Sequence, residues 1–190
     1  PALNIIQTAL ADGDLGNGKR LLDSTSGNMG ISYATFAAAL GIPVTLTIPA
    51  SASAERFSIL RALGAELILT DPTEGSDGAI VEARNLANEN PDLYWYANQY
   101  NNPANWQAHY KSTGPEILAQ TNGEITHLVV GLGTSGTLMG TGKYLREHGI
   151  LLHAVFPMTF AGIRQYAQRP AGLLQPRRHG EHRVVERKDF

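Results

Sequence analysis

A run of hydroxyl, amide and glycine residues follows the first apolar segment of the chain and precedes a helix-like stretch. The run reads Ser24-Thr25-Ser26-Gly27-Asn28. Such side chains, together with the free N–H groups of a helix start, can hold an anion, and a carboxylate is the anion that suits them. The same residues could also cap the helix, and their spacing alone favours the cap.

A second anion site is expected in a glycine-rich run between a strand and a helix, residues 131–137. Glycines let the backbone approach an anion closely, and the hydroxyls of Thr134, Ser135 and Thr137 can add hydrogen bonds, so a phosphate is the expected guest. The run also matches the G-x-G-x-x-G pattern of dinucleotide sites. Those sites want an acid after the next strand, where this chain has Phe156, so that interpretation is weak. An ordinary strand-to-helix turn is the remaining alternative.

A third polar run, residues 98–102, follows another strand and contains Gln99. Open α/β proteins bind ligands at the carboxyl ends of parallel strands. We therefore expect this run to lie on the same side of the sheet as residues 24–28, so that polar loops at strand ends form a crevice.

The elements that must position these loops follow from the apolar pattern. It predicts helices at residues 1–11, 31–40, 52–63, 77–89, 105–120 and from 137 to about 148, and strands at 20–24, 44–48, 66–70, 93–96, 125–130 and 151–155. Alternation of this kind implies parallel strands joined by crossover helices, an α/β fold with helices covering the sheet. A split near residue 100 gives two lobes.

Composition excludes several function classes. The chain of 190 residues has a formal net charge of −2, which gives no global case for a nucleic acid or an anionic membrane as partner. It has no cysteine, so disulfides, thiolate zinc sites and a cysteine nucleophile are excluded. We find no apolar run long enough to span a bilayer and no signal-peptide pattern. The histidines lack metal-ligand spacing, so no metal is expected. A cytoplasmic protein acting on small molecules is favoured.

Residues 156–190 differ in character from the rest of the chain. They contain prolines, few periodic apolar positions and an excess of arginine, and they predict no helix or strand. A nucleic-acid-binding arm is a weak hypothesis for them, because glutamates accompany the arginines and interleaved aromatic residues are lacking. A shift of reading frame near Phe156 is a further hypothesis, motivated by the change of composition.

Four separated motifs carry a family resemblance. They are Ser24-Thr25-Ser26-Gly27-Asn28-Met29-Gly30, Gln99-Tyr100-Asn101-Asn102-Pro103-Ala104-Asn105, Thr113-Gly114-Pro115-Glu116 and residues 131–137. Their order and spacing resemble those of cysteine synthases, which belong to the fold-type-II, tryptophan-synthase-β-like enzymes that use pyridoxal 5'-phosphate. The resemblance covers about residues 1–155, and the stretch 137–142 is most similar to the cysteine synthase B branch.

The resemblance implies a two-lobed fold with parallel sheets flanked by helices, incomplete at both ends. Residues 1–100 would form the N-terminal lobe, which contains residues 24–28, the carboxylate loop. Residues 101–155 would form the start of the second lobe, which contains residues 131–137, the phosphate loop. Residues 156–190 would be a basic tail that is out of the family frame or disordered.

The resemblance also implies which residues bind ligands. It places the substrate carboxylate on Thr25, Ser26, Gly27, Asn28 and Gln99. It places the phosphate of the cofactor on Gly133, Thr134, Ser135, Gly136 and Thr137. Asn28 would also contact the ring hydroxyl of the cofactor. Met29 stands where the family usually has threonine, which removes one hydroxyl from the carboxylate loop.

The activity implied is β-replacement: L-cysteine is made from an activated serine, either O-acetylserine or O-phosphoserine, and from a sulfur donor, either sulfide or a sulfur-carrier protein. A homodimer is expected. In the family the Schiff-base lysine lies in a Ser-Val-Lys-Asp-Arg run just before the stretch that starts this chain, so we expect a fragment that is inactive when isolated. The alternative is a non-catalytic protein that binds pyridoxal phosphate or an amino acid.

Overall fold

The computed structural model describes residues 1–131, 133–150 and 154–155. The chain divides into two compact units, Pro1–Ala104 and a second unit that begins at Asn105. The expectations for residues 156–190 lie outside the described residues. In the part of the chain that the structure describes, no helix is long and apolar enough to cross a membrane, and no cluster of three or more histidine or acidic side chains could hold a metal ion.

The first unit alternates helices and strands. Its elements are α1 (Ala2–Asp12), β1 (Arg20–Ser24), α2 (Asn28–Leu40), β2 (Val44–Pro49), α3 (Ala54–Ala62), β3 (Glu66–Thr70), α4 (Gly75–Glu89) and β4 (Tyr94–Tyr96). The strands form one parallel sheet in the order β3-β2-β1-β4, with Leu21 of β1 opposite Val44 on one side and Trp95 on the other. Since the chain continues from β1 to β2 and β3 but returns to the other side of β1 with β4, the carboxyl end of β1 lies at a topological switch point.

The core of the first unit explains why the central strands lack alternation. Leu21, Leu22, Leu46 and Ile48 of β1 and β2 are fully buried, as expected for parallel strands flanked by helices. Tyr33 of α2 is buried with them. Each fully buried leucine or isoleucine stabilises the fold by about 1.5–3 kcal/mol. This packing fixes the carboxyl ends of the strands, from which the polar loops emerge.

The second unit contains the glycine-rich run. Its described elements are α5 (Pro103–Lys111), which crosses the unit boundary, α6 (Thr113–Gln120), β5 (Leu128–Val129), α7 (Gly136–Glu147) and β6 (Ala154–Val155). β5 and β6 pair in parallel, and α6 packs on α7. A Cβ on Gly114 would lie 2.7 Å from Cβ of Tyr144, so glycine is required for this helix contact.

The single helix predicted for residues 105–120 is wrong. The chain breaks at Ser112, which has φ −125° and ψ −69°, and a new helix begins at Thr113. Pro115 in the first turn of α6 has no N–H, so it cannot donate the hydrogen bond that a continuous helix would need there. The break gives α6 its own direction towards α7.

Candidate functional site

The loop of residues 24–28 leaves the carboxyl end of β1 and enters α2. Thr25 is buried, and its hydroxyl oxygen accepts hydrogen bonds from the Gly27 N–H at 3.2 Å and the Gly30 N–H at 3.1 Å. A Cβ on Gly30 would lie 2.5 Å from Cγ2 of Thr25, which explains the glycine. Thr25 therefore has the capping role that the sequence left open, and its contact with a carboxylate stays a prediction.

Two other side chains of this loop are available to a ligand. Ser26 and Asn28 are exposed, and within the described residues neither side chain makes a hydrogen bond. Gly27 precedes the helix without a capping side chain of its own, so the N–H groups of Asn28 and Met29 have no helical acceptor, whereas the Gly30 N–H is already bonded. The Ser26 carbonyl, in contrast, accepts a hydrogen bond of 2.6 Å from Nη1 of Arg56 on α3. Uncharged donors at a helix start suit a carboxylate.

Gln99 is tied to the carboxyl end of β1 by two hydrogen bonds. Its Nε2 donates to the Ser24 carbonyl at 2.7 Å, and its backbone N–H donates to Oδ2 of Asp23 at 3.3 Å. Gln99 itself is buried, with 6% of its surface exposed. The structure thus brings the loops after β1 and β4 together, as the topology predicted. Gln99 holds the carboxylate loop in place.

Asp23 was missed in the sequence. Its carboxyl is fully buried at the end of β1, and it also accepts the Ser24 N–H at 2.9 Å. Burial raises the pKa of Asp23 to about 7, and the N–H groups of Ser24 and Gln99 and the nearby Tyr33 hydroxyl offset this only in part. The sequence does carry a signal for Asp23, because an acidic residue stands inside an apolar strand. A buried carboxyl is stable there only with hydrogen-bond partners.

The glycine-rich loop is anchored differently. Ser135 precedes α7 in the left-handed conformation, with φ 66°, and among the described residues its hydroxyl has no hydrogen-bond partner. Nδ2 of Asn105 donates to Oγ1 of Thr134 at 3.0 Å, and Nε2 of His109 lies 3.3 Å from Oγ1 of Thr137. Burial lowers the pKa of His109, which favours the neutral ring. Two side chains of α5 thus orient the loop hydroxyls.

The residues of this loop fit a phosphate. Between Glu124 and Glu147 the chain has no acidic residue, so no like charge opposes an anion along this stretch. A Cβ on Gly136 would overlap the carboxamide oxygen of Asn105, so glycine lets the start of α7 lie against α5. Leu132 lies outside the described residues. Gly133, Thr134, Ser135, Gly136 and Thr137 together offer hydroxyls and first-turn N–H groups, which suit the phosphate of a cofactor.

Lys143 does not belong to this donor set. Its Nζ lies 5.0 Å from the ring centroid of Trp106 and 5.4 Å from that of Tyr110, a cation–π arrangement on the side of α7. Its side chain is therefore held against α5. This position fits a structural role for Lys143 rather than a chemical one.

A parallel α/β fold with one helix start suited to a carboxylate and another suited to a phosphate defines a class of proteins that bind small anionic ligands. The sequence model of the family described as pyridoxal-phosphate dependent enzyme matches residues 1–185. The chain belongs to this family. The expected cofactor, pyridoxal 5'-phosphate, is the one that the family uses.

Individual relatives are cysteine synthases. The chain is 55% identical over 146 residues to cysteine synthase of Aquifex aeolicus, covering 77% of this chain and 45% of the relative. It is 42% identical over 173 residues to cysteine synthase B of Pseudomonas aeruginosa, covering 88% and 57%. The crystal structure of cysteine synthase from Entamoeba histolytica superposes with a TM-score of 0.71 at 42% identity, covering 77% of this chain and 43% of that one. The chain spans about half the length of these relatives. The family resemblance and the fold class inferred from the sequence are confirmed, and the family model extends past residue 155, where the resemblance was expected to end, to residue 185.

Proposed function

We propose that this chain is part of an enzyme that makes L-cysteine by pyridoxal-phosphate-dependent β-replacement. The substrate is an activated serine, O-acetylserine or O-phosphoserine, and the sulfur donor is sulfide or a sulfur-carrier protein. The observation that carries the proposal is the carboxylate loop at the switch point of the sheet. There the exposed Ser26 and Asn28 stand at the start of α2, and the buried Gln99 ties the loop to β4.

Each loop has its own task in this proposal. The carboxylate of the substrate is bound by Thr25, Ser26, Gly27, Asn28 and Gln99, and Asn28 also contacts the ring hydroxyl of the cofactor. The phosphate of the cofactor is bound by Gly133, Thr134, Ser135, Gly136 and Thr137. When bound, pyridoxal phosphate supplies an electron sink for charge that develops on the substrate. The chain contributes orientation and the neutralisation of two anions.

Phosphate recognition can be tested by comparing pyridoxal phosphate with pyridoxal in equilibrium dialysis. If the second loop binds the phosphate, the chain binds pyridoxal phosphate at least about tenfold more tightly, since charge-assisted hydrogen bonds are worth about 1.5–3 kcal/mol. Thr134→Val should reduce the difference, whereas Thr126→Val, an exposed threonine outside the loop, should not. Equal binding of the two compounds would contradict the proposal.

The isolated chain is proposed to be inactive in β-replacement. Neither ligand loop contains a lysine, and Lys143 of α7 is held over two aromatic rings. This observation also favours the second candidate function, a non-catalytic protein that binds pyridoxal phosphate or an amino acid. Sustained cysteine formation from O-acetylserine and sulfide by the purified chain would overturn both the proposed inactivity and the non-catalytic candidate function. We further propose that the parent protein belongs to the cysteine synthase B branch, is cytoplasmic and forms a homodimer. Light scattering of the longer protein tests the homodimer.

A further inference from the structure

Arg56 lies beside the carboxylate loop and has no acidic partner among the described residues. It belongs to the first turn of α3, where its backbone N–H donates to the Ser53 hydroxyl at 3.4 Å. Its guanidinium donates to the Ser26 carbonyl at 2.6 Å, and within the described residues it has no other hydrogen bond or ion pair. The guanidinium thus bonds to a backbone carbonyl thirty positions away in sequence instead of to a carboxylate, and this bond helps to hold the loop.

The peptide group between Ser26 and Gly27 is held at both ends. Its carbonyl accepts from Arg56, and its N–H donates to the buried Thr25 hydroxyl at 3.2 Å. The Thr25 hydroxyl is fixed in turn because it also caps the Gly30 N–H. Rotation of this peptide would have to break both hydrogen bonds, so its orientation is set before any ligand arrives.

We propose that Arg56 is a positioning residue for the carboxylate loop: it fixes the Ser26–Gly27 peptide against Thr25 and adds a positive charge, not paired with any acid in the described part of the chain, beside the anion site. This inference rests on the proposed function of that loop. The charge matters because the buried Asp23, which accepts the Ser24 N–H of this loop, becomes negative as the pH rises through about 7 and then opposes a bound carboxylate. Arg56 offsets that field.

Amide hydrogen exchange of the unliganded chain tests the positioning role without any ligand. We expect the Gly27 amide to exchange about tenfold faster in Arg56→Gln than in the wild type, because one charge-assisted hydrogen bond is lost. Arg61→Gln is the matched control: Arg61 lies on the same helix, but its guanidinium lies 5.7 Å from the Phe57 ring centroid and, within the described residues, makes no hydrogen bond to the loop. Arg56→Lys, which keeps a charged donor, should restore most of the protection.

A purely structural role would give a different pattern. If Arg56 only stabilised α3, the Leu60 amide in that helix would exchange faster together with Gly27. An unchanged Gly27 amide in Arg56→Gln, or the same change in Arg61→Gln, would overturn the proposal.

Ligand binding separates this inference from the proposed function. L-Serine and ethanolamine, which lacks the carboxylate, are titrated by calorimetry, and Arg56→Gln is expected to weaken L-serine binding about tenfold while ethanolamine binding stays the same. If the wild-type chain does not prefer L-serine, the carboxylate role of the loop is wrong, and the exchange experiment still decides whether Arg56 positions it. If L-serine binds equally well to the wild type and Arg56→Gln, the inference fails while the proposed function stands.

Discussion

The two ligand loops occupy the same place in a strand–loop–helix unit, yet the side chains that reach them from other elements bond to different groups. The carboxylate loop is held by polar groups under and beside it: Asp23, Thr25, Gln99 and Arg56 all bond to its backbone. In the phosphate loop, α5 reaches the hydroxyls of Thr134 and Thr137, and the Thr134 hydroxyl also accepts the Gly136 N–H at 3.4 Å.

This difference matches the two proposed ligands. A loop whose backbone is bonded by side chains offers its own exposed side chains, Ser26 and Asn28, to a substrate that comes and goes. A loop whose hydroxyls are oriented by α5 offers those hydroxyls, together with the first-turn N–H groups that Thr134 does not cap, to a phosphate that stays bound. The first loop should therefore be sensitive to charge and pH, and the second to steric changes between α5 and α7.

The largest expected effect concerns Asp23 and pH. Its folded pKa of about 7 lies above the ordinary value of 3.8, so the folded state retains a proton that the unfolded state has lost. The stability that this proton confers is therefore fully present below about pH 4 and is lost as the pH rises through 7, with a slope of up to about 1.4 kcal/mol per pH unit. Urea unfolding of the wild type and Asp23→Asn between pH 4.5 and 8.5 should show the wild type losing stability relative to the variant as the pH rises.

Asp71 provides the matched comparison for this prediction. It is an exposed acid whose pKa is lowered by hydrogen bonds from Thr73, so the stability it confers is present at neutral pH and is lost on acidification. Asp71→Asn should therefore show a small difference of the opposite sign only below about pH 4, so the series for this pair is extended to about pH 2.5. If the unfolding free energies of the wild type and Asp23→Asn differ by the same amount at every pH, the buried carboxyl does not make the first loop more sensitive to pH than the second.

The apolar pattern of the sequence predicted more of the fold than of the hydrogen bonds that hold the carboxylate loop. The bounds of β1 and β3 agree with those predicted, residues 20–24 and 66–70, because each is an apolar run between turn residues. The hydrogen bonds that hold the carboxylate loop join residues far apart in sequence, 76 positions for Asp23 and Gln99. No periodicity reports such a pairing. An arginine on an exposed first turn, such as Arg56, looks like any solvated charge until α3 is placed beside the loop.

The next largest effect is expected at Gly140 in the second unit. A Cβ at this position would overlap the Trp106 carbonyl and lie 2.7 Å from Cβ of His109, so α7 and α5 would have to separate. We expect Gly140→Ala to destabilise the second unit by about 3 kcal/mol, at the upper end of the usual cost of overpacking. Thermal unfolding measures this. Gly133→Ala, where a Cβ would meet nothing within 4 Å, should leave stability unchanged, and equal effects of the two variants would contradict the packing argument.

Thr25 and Ser26 separate anchoring from binding within one loop. Thr25→Val removes the hydroxyl that caps two N–H groups and should cost about 1–2 kcal/mol of stability, a typical loss for a helix cap. Ser26→Ala removes an exposed hydroxyl and should change stability by less than about 0.5 kcal/mol. Urea unfolding of both variants distinguishes the roles. A larger loss for Ser26→Ala would mean that the loop is anchored by its exposed side chains.

Ser135→Gly should have the smallest effect on stability, and it should stabilise the protein, whereas Gly140→Ala and Thr25→Val should destabilise it. A residue other than glycine in the left-handed conformation costs about 1–2 kcal/mol, and Ser135 with φ 66° bears this cost at the start of α7. Ser135→Gly should relieve it and raise the stability of the second unit by up to about 1 kcal/mol, since glycine loses more entropy on folding. The same change removes a hydroxyl from the proposed phosphate site, so pyridoxal phosphate binding should weaken. Stability and affinity moving in opposite directions would show that the strain is kept for the ligand, whereas a loss of both would mean that the Ser135 side chain supports the fold, as Thr25 does in the first loop.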